Sequence, residues 1–156
     1  MTSSTHKISL TLNGDTVDAR VEAHLLLIDF LRDAQDLRGV KRSCDMQVCG
    51  ACTVLVDGNP VSSCTMLAVD VDGANIVTIE GLGDPDDLDP IQEAFLQFGA
   101  LQCGFCTPGM ILATKALLTS NPTPSRAEIE HHLSGNICRC TGYQKIIEAV
   151  ESLAQN

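Results

Sequence analysis

Residues 44–52 read Cys-Asp-Met-Gln-Val-Cys-Gly-Ala-Cys, and a further cysteine, Cys64, follows after eleven intervening residues. Three of these four thiols therefore come from one tight loop, and the fourth comes from a separate segment. A structural zinc site usually takes its cysteines as two short pairs. The distribution found here is not typical of zinc, although zinc is the alternative to consider.

The spacing Cys-x4-Cys-x2-Cys with a distant fourth cysteine is the arrangement that holds a 2Fe–2S cluster in plant-type ferredoxins. Such a cluster needs two thiolates for each iron and a loop wrapped around the bridging sulfides. Gly50 and Ala51 are small enough to let the backbone approach those sulfides. We therefore predict that the first cysteine set, Cys44, Cys49, Cys52 and Cys64, holds a 2Fe–2S cluster.

A second set of four cysteines lies downstream in two tight pairs, Cys103 with Cys106 and Cys138 with Cys140. A Cys-x2-Cys spacing lets two sulfurs converge from one turn. In an extended segment residues i and i+2 project to the same side, so Arg139 should point away from the second pair. All eight cysteines thus fall into two sets of four. Spacing alone leaves zinc and an iron–sulfur cluster equally open for the second set.

Composition limits the classes of protein to which the chain can belong. Its 156 residues are 44% hydrophobic but only 3% aromatic, which allows one ordinary domain or two small aliphatic cores. The formal charge of −10 argues against nucleic acid as a partner. No run of about eighteen apolar residues is present, so we expect no membrane span. The polar N-terminus has neither an apolar signal region nor a twin-arginine motif, which predicts cytoplasmic, reduced thiols rather than four disulfides.

The first half of the chain is patterned as strands around one helix. Apolar and polar residues alternate over 7–12 and 15–21 on either side of Asn13-Gly14, a dipeptide favoured in tight hairpin turns. We predict a buried helix over 25–31, strands over 53–56 and 75–79, and a turn over 57–60 followed by a strand from Val61. Residues 1–80 are therefore expected to form an α+β domain.

The second half is patterned as helices only. Residues 81–89, rich in Gly, Pro and Asp, read as a linker whose Asp89 caps a helix that starts at Pro90 and ends before Gly99. We predict further helices over 110–118 after Thr107-Pro108, from a capping box at Ser125–Glu128 to Gly135, and over 145–153 after a capping box at Thr141–Gln144. Residues 90–156 are thus expected to form an all-α, four-helix domain.

Three motifs resemble a known family, and together they span essentially the whole chain. They are 49–54 (Cys-Gly-Ala-Cys-Thr-Val), 102–109 (Gln-Cys-Gly-Phe-Cys-Thr-Pro-Gly) and 136–143 (Asn-Ile-Cys-Arg-Cys-Thr-Gly-Tyr). The sequence resembles the small iron–sulfur subunit of the molybdenum hydroxylases, the xanthine oxidase and carbon monoxide dehydrogenase family. The resemblance implies a β-grasp, plant-type ferredoxin domain followed by a four-helix domain. It also implies a second 2Fe–2S cluster on Cys103, Cys106, Cys138 and Cys140.

The resemblance further implies a place in a larger complex. Relatives pair with a large subunit that binds molybdopterin, as the cytosine dinucleotide, and a medium subunit that binds FAD, in a dimer of heterotrimers. Electrons would leave the molybdopterin centre singly and pass through the helical-domain cluster and the ferredoxin-type cluster to FAD. Residues matching Gln102 and Cys140 contact the pterin in the family. The substrate would be an aldehyde, an N-heteroaromatic compound, an aromatic acyl-CoA or carbon monoxide.

Two other functions compete with this one. A free-standing ferredoxin would carry electrons by diffusion, but it would need only one cluster. The Gln102 and 138–140 signatures also disfavour that shuttle. The second alternative is a structural interaction module with two zinc ions, which would be colourless where an iron–sulfur protein is brown. One departure from the family lies at 45–48, where many relatives have a Gly-rich stretch that often contains Glu; it puts the fit to the flavin subunit in doubt, but not the ligands. His131 and His132 are expected to be surface residues or helix-dipole partners, and no catalytic set was found.

Overall fold

The computed structural model describes residues 5–154. Five strands form one mixed sheet in the order β2-β1-β5-β3-β4, in which β1 runs parallel to β5 and the other neighbours are antiparallel. The strands are β1 Thr5–Leu12, β2 Asp15–Glu22, β3 Thr53–Val56, β4 Asn59–Ser62 and β5 Asn75–Val77.

The first hairpin confirms the prediction from alternation. Ile8, Leu10 and Leu12 point into the core, while their neighbours face outwards. Asn13 and Gly14 both have positive φ, 52° and 93°, as the tight turn that matches strand twist requires. The predicted hairpin turn is therefore present at the expected residues.

The later strands differ from the prediction at their ends. The second turn is shorter than expected, since only Asp57 and Gly58 lie outside the strands. Pro60 belongs to β4, where it is tolerated because β4 is an edge strand. Strand β5 ends at Val77 rather than residue 79. The Thr78 backbone N–H donates to the Asn13 side chain at 2.8 Å instead of continuing the ladder.

The predicted first helix is present but irregular. Helix α1, Leu27–Asp29, continues as a π-helical turn over Phe30–Ala34, two residues later than the sequence indicated. Leu27, Ile28, Phe30 and Leu31 are fully buried against the sheet. This helix closes the first of the hydrophobic cores.

Four α-helices follow: α2 Pro90–Gln97, α3 Thr107–Ser120, α4 Arg126–Leu133 and α5 Gln144–Ala154. They enclose a second core, and α3 also packs on β3, where Leu112 and Ala116 meet Leu55. Within residues 5–154, no helix is both long and apolar enough to cross a bilayer.

Two of the predicted helix starts are wrong in detail. Thr107 is the first helical residue of α3 rather than a cap, and Cys106 precedes it without a side-chain capping bond. At α5 the expected reciprocal capping box is not among the described hydrogen bonds, because the Gln144 N–H donates to the Gly142 carbonyl and the Gln144 side-chain oxygen accepts from Arg126. The Ser125–Glu128 capping box is confirmed, but α4 ends at Leu133 and Gly135 lies beyond it.

Asp89 anchors the segment that joins the two halves. Its carboxylate accepts from the Ile91 N–H at 2.9 Å, within a capping box completed by Gln92. The same carboxylate pairs with Lys115 of α3 at 2.7 Å, and its side chain is only 8% exposed. Residues 81–89 are thus tied to the helices at their end, while their role as a linker between domains stays a prediction.

Replacing Asp89 with alanine should lower the free energy of unfolding by about 1 kcal/mol or somewhat more. The variant loses the helix cap and leaves Lys115 without its carboxylate. The measurement is the thermal midpoint of the cluster-bound protein, compared with Asp86→Ala. That control removes the same charge from an exposed position in the same segment. Equal midpoints for the two variants would contradict the anchoring role of Asp89.

Candidate metal centres

The loop that carries the first cysteine set is shaped by residues with left-handed backbone. Asp45, Gln47 and Gly50 have φ values of 54°, 60° and 66°. Alternation of this kind turns successive peptide N–H groups to one side and makes a pocket for an anion. The N–H groups of Met46, Val48 and Cys49 hydrogen-bond the Cys44 sulfur and lower the pKa of that thiol to about 6. The backbone is therefore arranged to hold a thiolate.

The loop also gathers the other three cysteines of the set. Cys49 lies within hydrogen-bond contact of Cys44, and Cys64 is in contact with Cys52. Cys52 and Cys64 are buried, whereas Cys44 and Cys49 are partly exposed. Burial raises the pKa of Cys64 to about 11, despite a hydrogen bond from the Gln47 backbone. The predicted first set is thus brought together, with a closed inner side and an open outer side.

The second cysteine set is also assembled, by the loops before α3 and before α5. Cys103 and Cys140 are exposed, and their sulfurs lie 3.5 Å apart. Cys106 contacts the buried Cys138, and burial, followed by that contact, raises the pKa of Cys106 to about 12. A hydrogen bond from the Phe105 N–H, followed by one from Cys140, lowers the pKa of Cys103.

Polar groups from the second motif hold Cys138 in place. Burial acts to raise the pKa of Cys138, but hydrogen bonds from the Thr141 hydroxyl and from backbone N–H groups outweigh it and lower the pKa. The Thr141 hydroxyl lies 3.1 Å from the Cys138 sulfur. The Cys138 N–H donates to the Tyr143 hydroxyl at 2.9 Å, and that hydroxyl donates to the Asn136 carbonyl.

The donor chemistry of both sets fits 2Fe–2S clusters. Each set offers four thiols, and peptide N–H groups point at several of the sulfurs, as the hydrogen-bonded sulfurs of such clusters require. In the described part of the chain, no group of three or more His, Cys, Asp or Glu side chains is placed to hold a single metal ion.

The two cysteine loops meet at a junction, which we call the loop junction: Cys49, Gly50 and Thr53 on one side, Asn136 and Ile137 on the other. The Ile137 N–H donates to the Cys49 carbonyl at 2.8 Å. The Asn136 amide donates to the Gly50 carbonyl at 3.0 Å and to the Thr53 hydroxyl at 3.2 Å. One hydrogen bond therefore links a cysteine of the first set to the residue beside Cys138 of the second.

Other residues singled out in the sequence lie close to the cysteine sets or in the helices beside them. Gln102 is exposed beside Cys103, and its side chain makes no hydrogen bond with any described residue. His132 contacts the Ala113 carbonyl at 3.0 Å, in the last turn of α4, so it has a structural partner. The sequence analysis missed the roles of Asn136 and of the Tyr143 hydroxyl. Both residues stand in the third motif, but nothing in a sequence shows that Asn136 meets a loop 86 residues away.

Comparison with known proteins agrees with this geometry. Residues 10–76 match the family described as 2Fe-2S iron-sulfur cluster binding domain, and residues 78–151 match the family described as 2Fe-2S binding domain. The chain is 49% identical to the nicotine 6-hydroxylase small subunit of Paenarthrobacter nicotinovorans, over 92% of this chain and 87% of that one. It is 46% identical to caffeine dehydrogenase subunit gamma of Pseudomonas sp. strain CBB1, over 97% and 92%.

A solved structure extends the likeness to the fold. The crystal structure of quinoline 2-oxidoreductase from Pseudomonas putida 86 superposes with a TM-score of 0.93 at 45% identity, covering 97% of this chain and 94% of that one. The chain is thus a 2Fe–2S protein with a ferredoxin-like first region. It belongs to the family of small iron–sulfur subunits of the molybdenum hydroxylases, which are oxidoreductases. The resemblance found in the three motifs is confirmed.

Replacing Cys44 with serine should remove one of two iron–sulfur signals and lower the iron content from about four to about two per chain. The thiolate with three backbone donors is lost, while the second set keeps all of its ligands. Low-temperature EPR with iron analysis measures both effects. The reciprocal control is Cys106→Ser, which should remove the other signal. Loss of both signals from Cys44→Ser would contradict the assignment of separate ligand sets.

Proposed function

We propose that this chain relays electrons singly through two 2Fe–2S clusters, one on Cys44, Cys49, Cys52 and Cys64 and the other on Cys103, Cys106, Cys138 and Cys140. The observation that carries the proposal is the loop junction. It joins two sets of four thiols through the hydrogen bond from the Ile137 N–H to the Cys49 carbonyl. Each bound cluster would supply one-electron chemistry. The residues of the chain would hold the clusters, solvate their charge and fix the distance between them.

The exposure of each set suggests where electrons arrive and leave. Cys103 and Cys140 are exposed, and so is Gln102 beside them, whose amide has no hydrogen-bond partner within residues 5–154. These features support a docking face for a molybdopterin-binding large subunit, with Gln102 and Cys140 in contact with the pterin. Met46 and Val48, 65% and 55% exposed on the first loop, would face the FAD-binding medium subunit. Apolar side chains exposed in this way are typical of surfaces that a partner covers.

The finer organisation is part of the same proposal. The sheet with α1 across it would be a β-grasp domain over 1–80, and helices α2 to α5 would form a four-helix domain over 90–156, joined by a linker over 81–89. The whole enzyme would be a dimer of heterotrimers with molybdopterin cytosine dinucleotide in the large subunit. A cytoplasmic location stays a prediction.

The substrate is oxidised in the large subunit under this proposal. Two of the relatives are named for nicotine and caffeine, and the solved structure is named for quinoline. All three names denote N-heteroaromatic compounds, whereas other relatives at 42% and 43% identity are named aldehyde oxidoreductases, so these are the two classes to test first. Assays of the purified complex against an N-heteroaromatic compound and an aldehyde would separate the two most immediate classes.

The experiment that tests the relay is low-temperature EPR of anaerobically purified, dithionite-reduced protein, with iron and zinc measured in the same sample. We expect two distinct spin-half signals and about four irons per chain. One signal with stoichiometric zinc would mean that one site is structural and would overturn the two-cluster relay. Purification without flavin and molybdopterin subunits from the native source would favour a freely diffusing ferredoxin instead.

In the assembled complex, Gln102→Ala should leave both EPR signals intact and slow cluster reduction by substrate. The amide is exposed next to a cysteine of the second set, and its loss removes a polar contact to the pterin but no iron ligand. Rapid mixing of substrate with oxidised enzyme measures the rate of cluster reduction in a single turnover. Gln97→Ala, an exposed glutamine at the end of α2, is the matched control. An unchanged rate in Gln102→Ala would exclude the role in electron transfer from the pterin.

A further inference from the structure

The carbonyl oxygen of Gly50 is the most heavily bonded atom of the loop junction. It accepts from the Thr53 hydroxyl at 2.7 Å, from the Thr53 N–H at 3.2 Å and from the Asn136 amide at 3.0 Å. The Asn136 amide nitrogen also lies 3.2 Å from the Thr53 hydroxyl oxygen, so one amide hydrogen is shared between the two acceptors. Asn136, Thr53 and Gly50 therefore form a closed triangle of hydrogen bonds.

The setting leaves this network little freedom. Asn136 is 7% exposed, and its amide lies against the backbone of Gly50. A Cβ at Gly50 would come within 2.5 Å of the Asn136 amide nitrogen, and a Cβ at Gly109 would collide with the Gly50 carbonyl. Burial at this density makes an unpaired polar group costly. Close packing therefore holds the Asn136 amide against the Gly50 carbonyl.

The hydrogen bonds among Asn136, Thr53 and Gly50 lie next to the hydrogen bond from the Ile137 N–H to the Cys49 carbonyl. Gly50 follows Cys49, whose carbonyl accepts from Ile137, and Asn136 precedes Ile137. Two of the three hydrogen bonds described across the loop junction, Ile137–Cys49 and Asn136–Gly50, thus join residues that are adjacent in both segments. A fixed hydrogen bond between Asn136 and Gly50 therefore fixes the length and angle of the neighbouring hydrogen bond between Ile137 and Cys49.

We propose that Asn136 is a positioning residue for electron transfer between the two clusters. Its amide sets the contact between the Cys49 and Cys138 loops, and this inference rests on the proposed two-cluster relay. In the transfer itself one electron leaves the reduced cluster and the other cluster gains it. No bond is made or broken in the chain. Asn136 touches neither electron donor nor acceptor and acts only through the peptide groups that it aligns.

The test is Asn136→Asp in the full chain with both clusters bound. The change replaces one NH2 group by oxygen at nearly constant volume. An ionised carboxylate would repel the Gly50 carbonyl, and a protonated one would supply one hydrogen where asparagine supplies two. The primary readout is the spin–spin splitting between the two reduced clusters in low-temperature EPR, since it depends on their separation and on the bonds between them. The second readout is the rate at which an electron, injected by a light pulse, equilibrates between the clusters.

We expect Asn136→Asp to keep both signals and full iron content, to narrow the splitting and to slow equilibration. Asn59→Asp is the matched control, because it adds the same charge at an exposed site at the far end of the β3–β4 hairpin. Should Asn136→Asp fail to fold, Thr53→Val removes the hydroxyl that completes the network and should show the same changes. Thr53→Ser, which keeps the hydroxyl, should restore the wild-type splitting.

Wild-type splitting and rate in a variant with both clusters would overturn the positioning role and leave the relay untouched. Loss of stability and iron with an unchanged splitting in the surviving molecules would also overturn it, because Asn136 would then be structural only. A wild-type chain with fewer than two clusters would overturn the relay itself, and this inference with it.

Discussion

The hydrogen bonds around the peptide groups of Cys49 and Gly50 hold the two halves of the site together. The Cys49 carbonyl accepts from Ile137, and the Gly50 carbonyl accepts from Asn136 and Thr53. Gly109, in the first turn of α3, lies against the Gly50 carbonyl. The helices therefore cannot shift without moving the first cysteine loop. The two cysteine loops are therefore tied to each other at these peptide groups, although each set takes its four thiols from its own half of the chain.

The sequence predicted best those features whose signals lie within a few residues. The Asn13-Gly14 turn and the caps at Asp89 and Ser125 were confirmed, because each depends on neighbouring backbone groups. The capping box expected at Thr141 failed even though the residue types were right. The Gln144 side-chain oxygen accepts from Arg126 of α4, and the Thr141 hydroxyl lies against the Cys138 sulfur. A local sequence pattern shows which hydrogen-bonding groups are available, but it does not show which partner each group takes in the folded chain.

The candidate site also has a part that local sequence predicts and a part that it does not. Spacing alone grouped the eight cysteines into the same two sets that lie together in the fold, and it favoured iron over zinc for the first. It left the metal of the second set open, since two closely spaced cysteine pairs can hold either zinc or a 2Fe–2S cluster. The family match over residues 78–151 favours a 2Fe–2S cluster there. The junction between the sets lay beyond sequence reasoning, because Asn136 and Gly50 are 86 residues apart and meet only after both halves have folded.

The charge of the chain makes the backbone the main source of stabilisation for the thiolates. The protein carries a formal charge of −10, and bound clusters with their thiolates add more. Arg42, two residues before Cys44, is paired with Asp29 and Asp45. Cys44 depends instead on N–H groups presented by the left-handed residues Asp45 and Gln47. Such a backbone costs of order 1 kcal/mol at each non-glycine position, so it persists only where the surrounding fold enforces it. Since that loop is held at Gly50 by Asn136, the electrostatic environment of the first set depends in turn on the contact with the second.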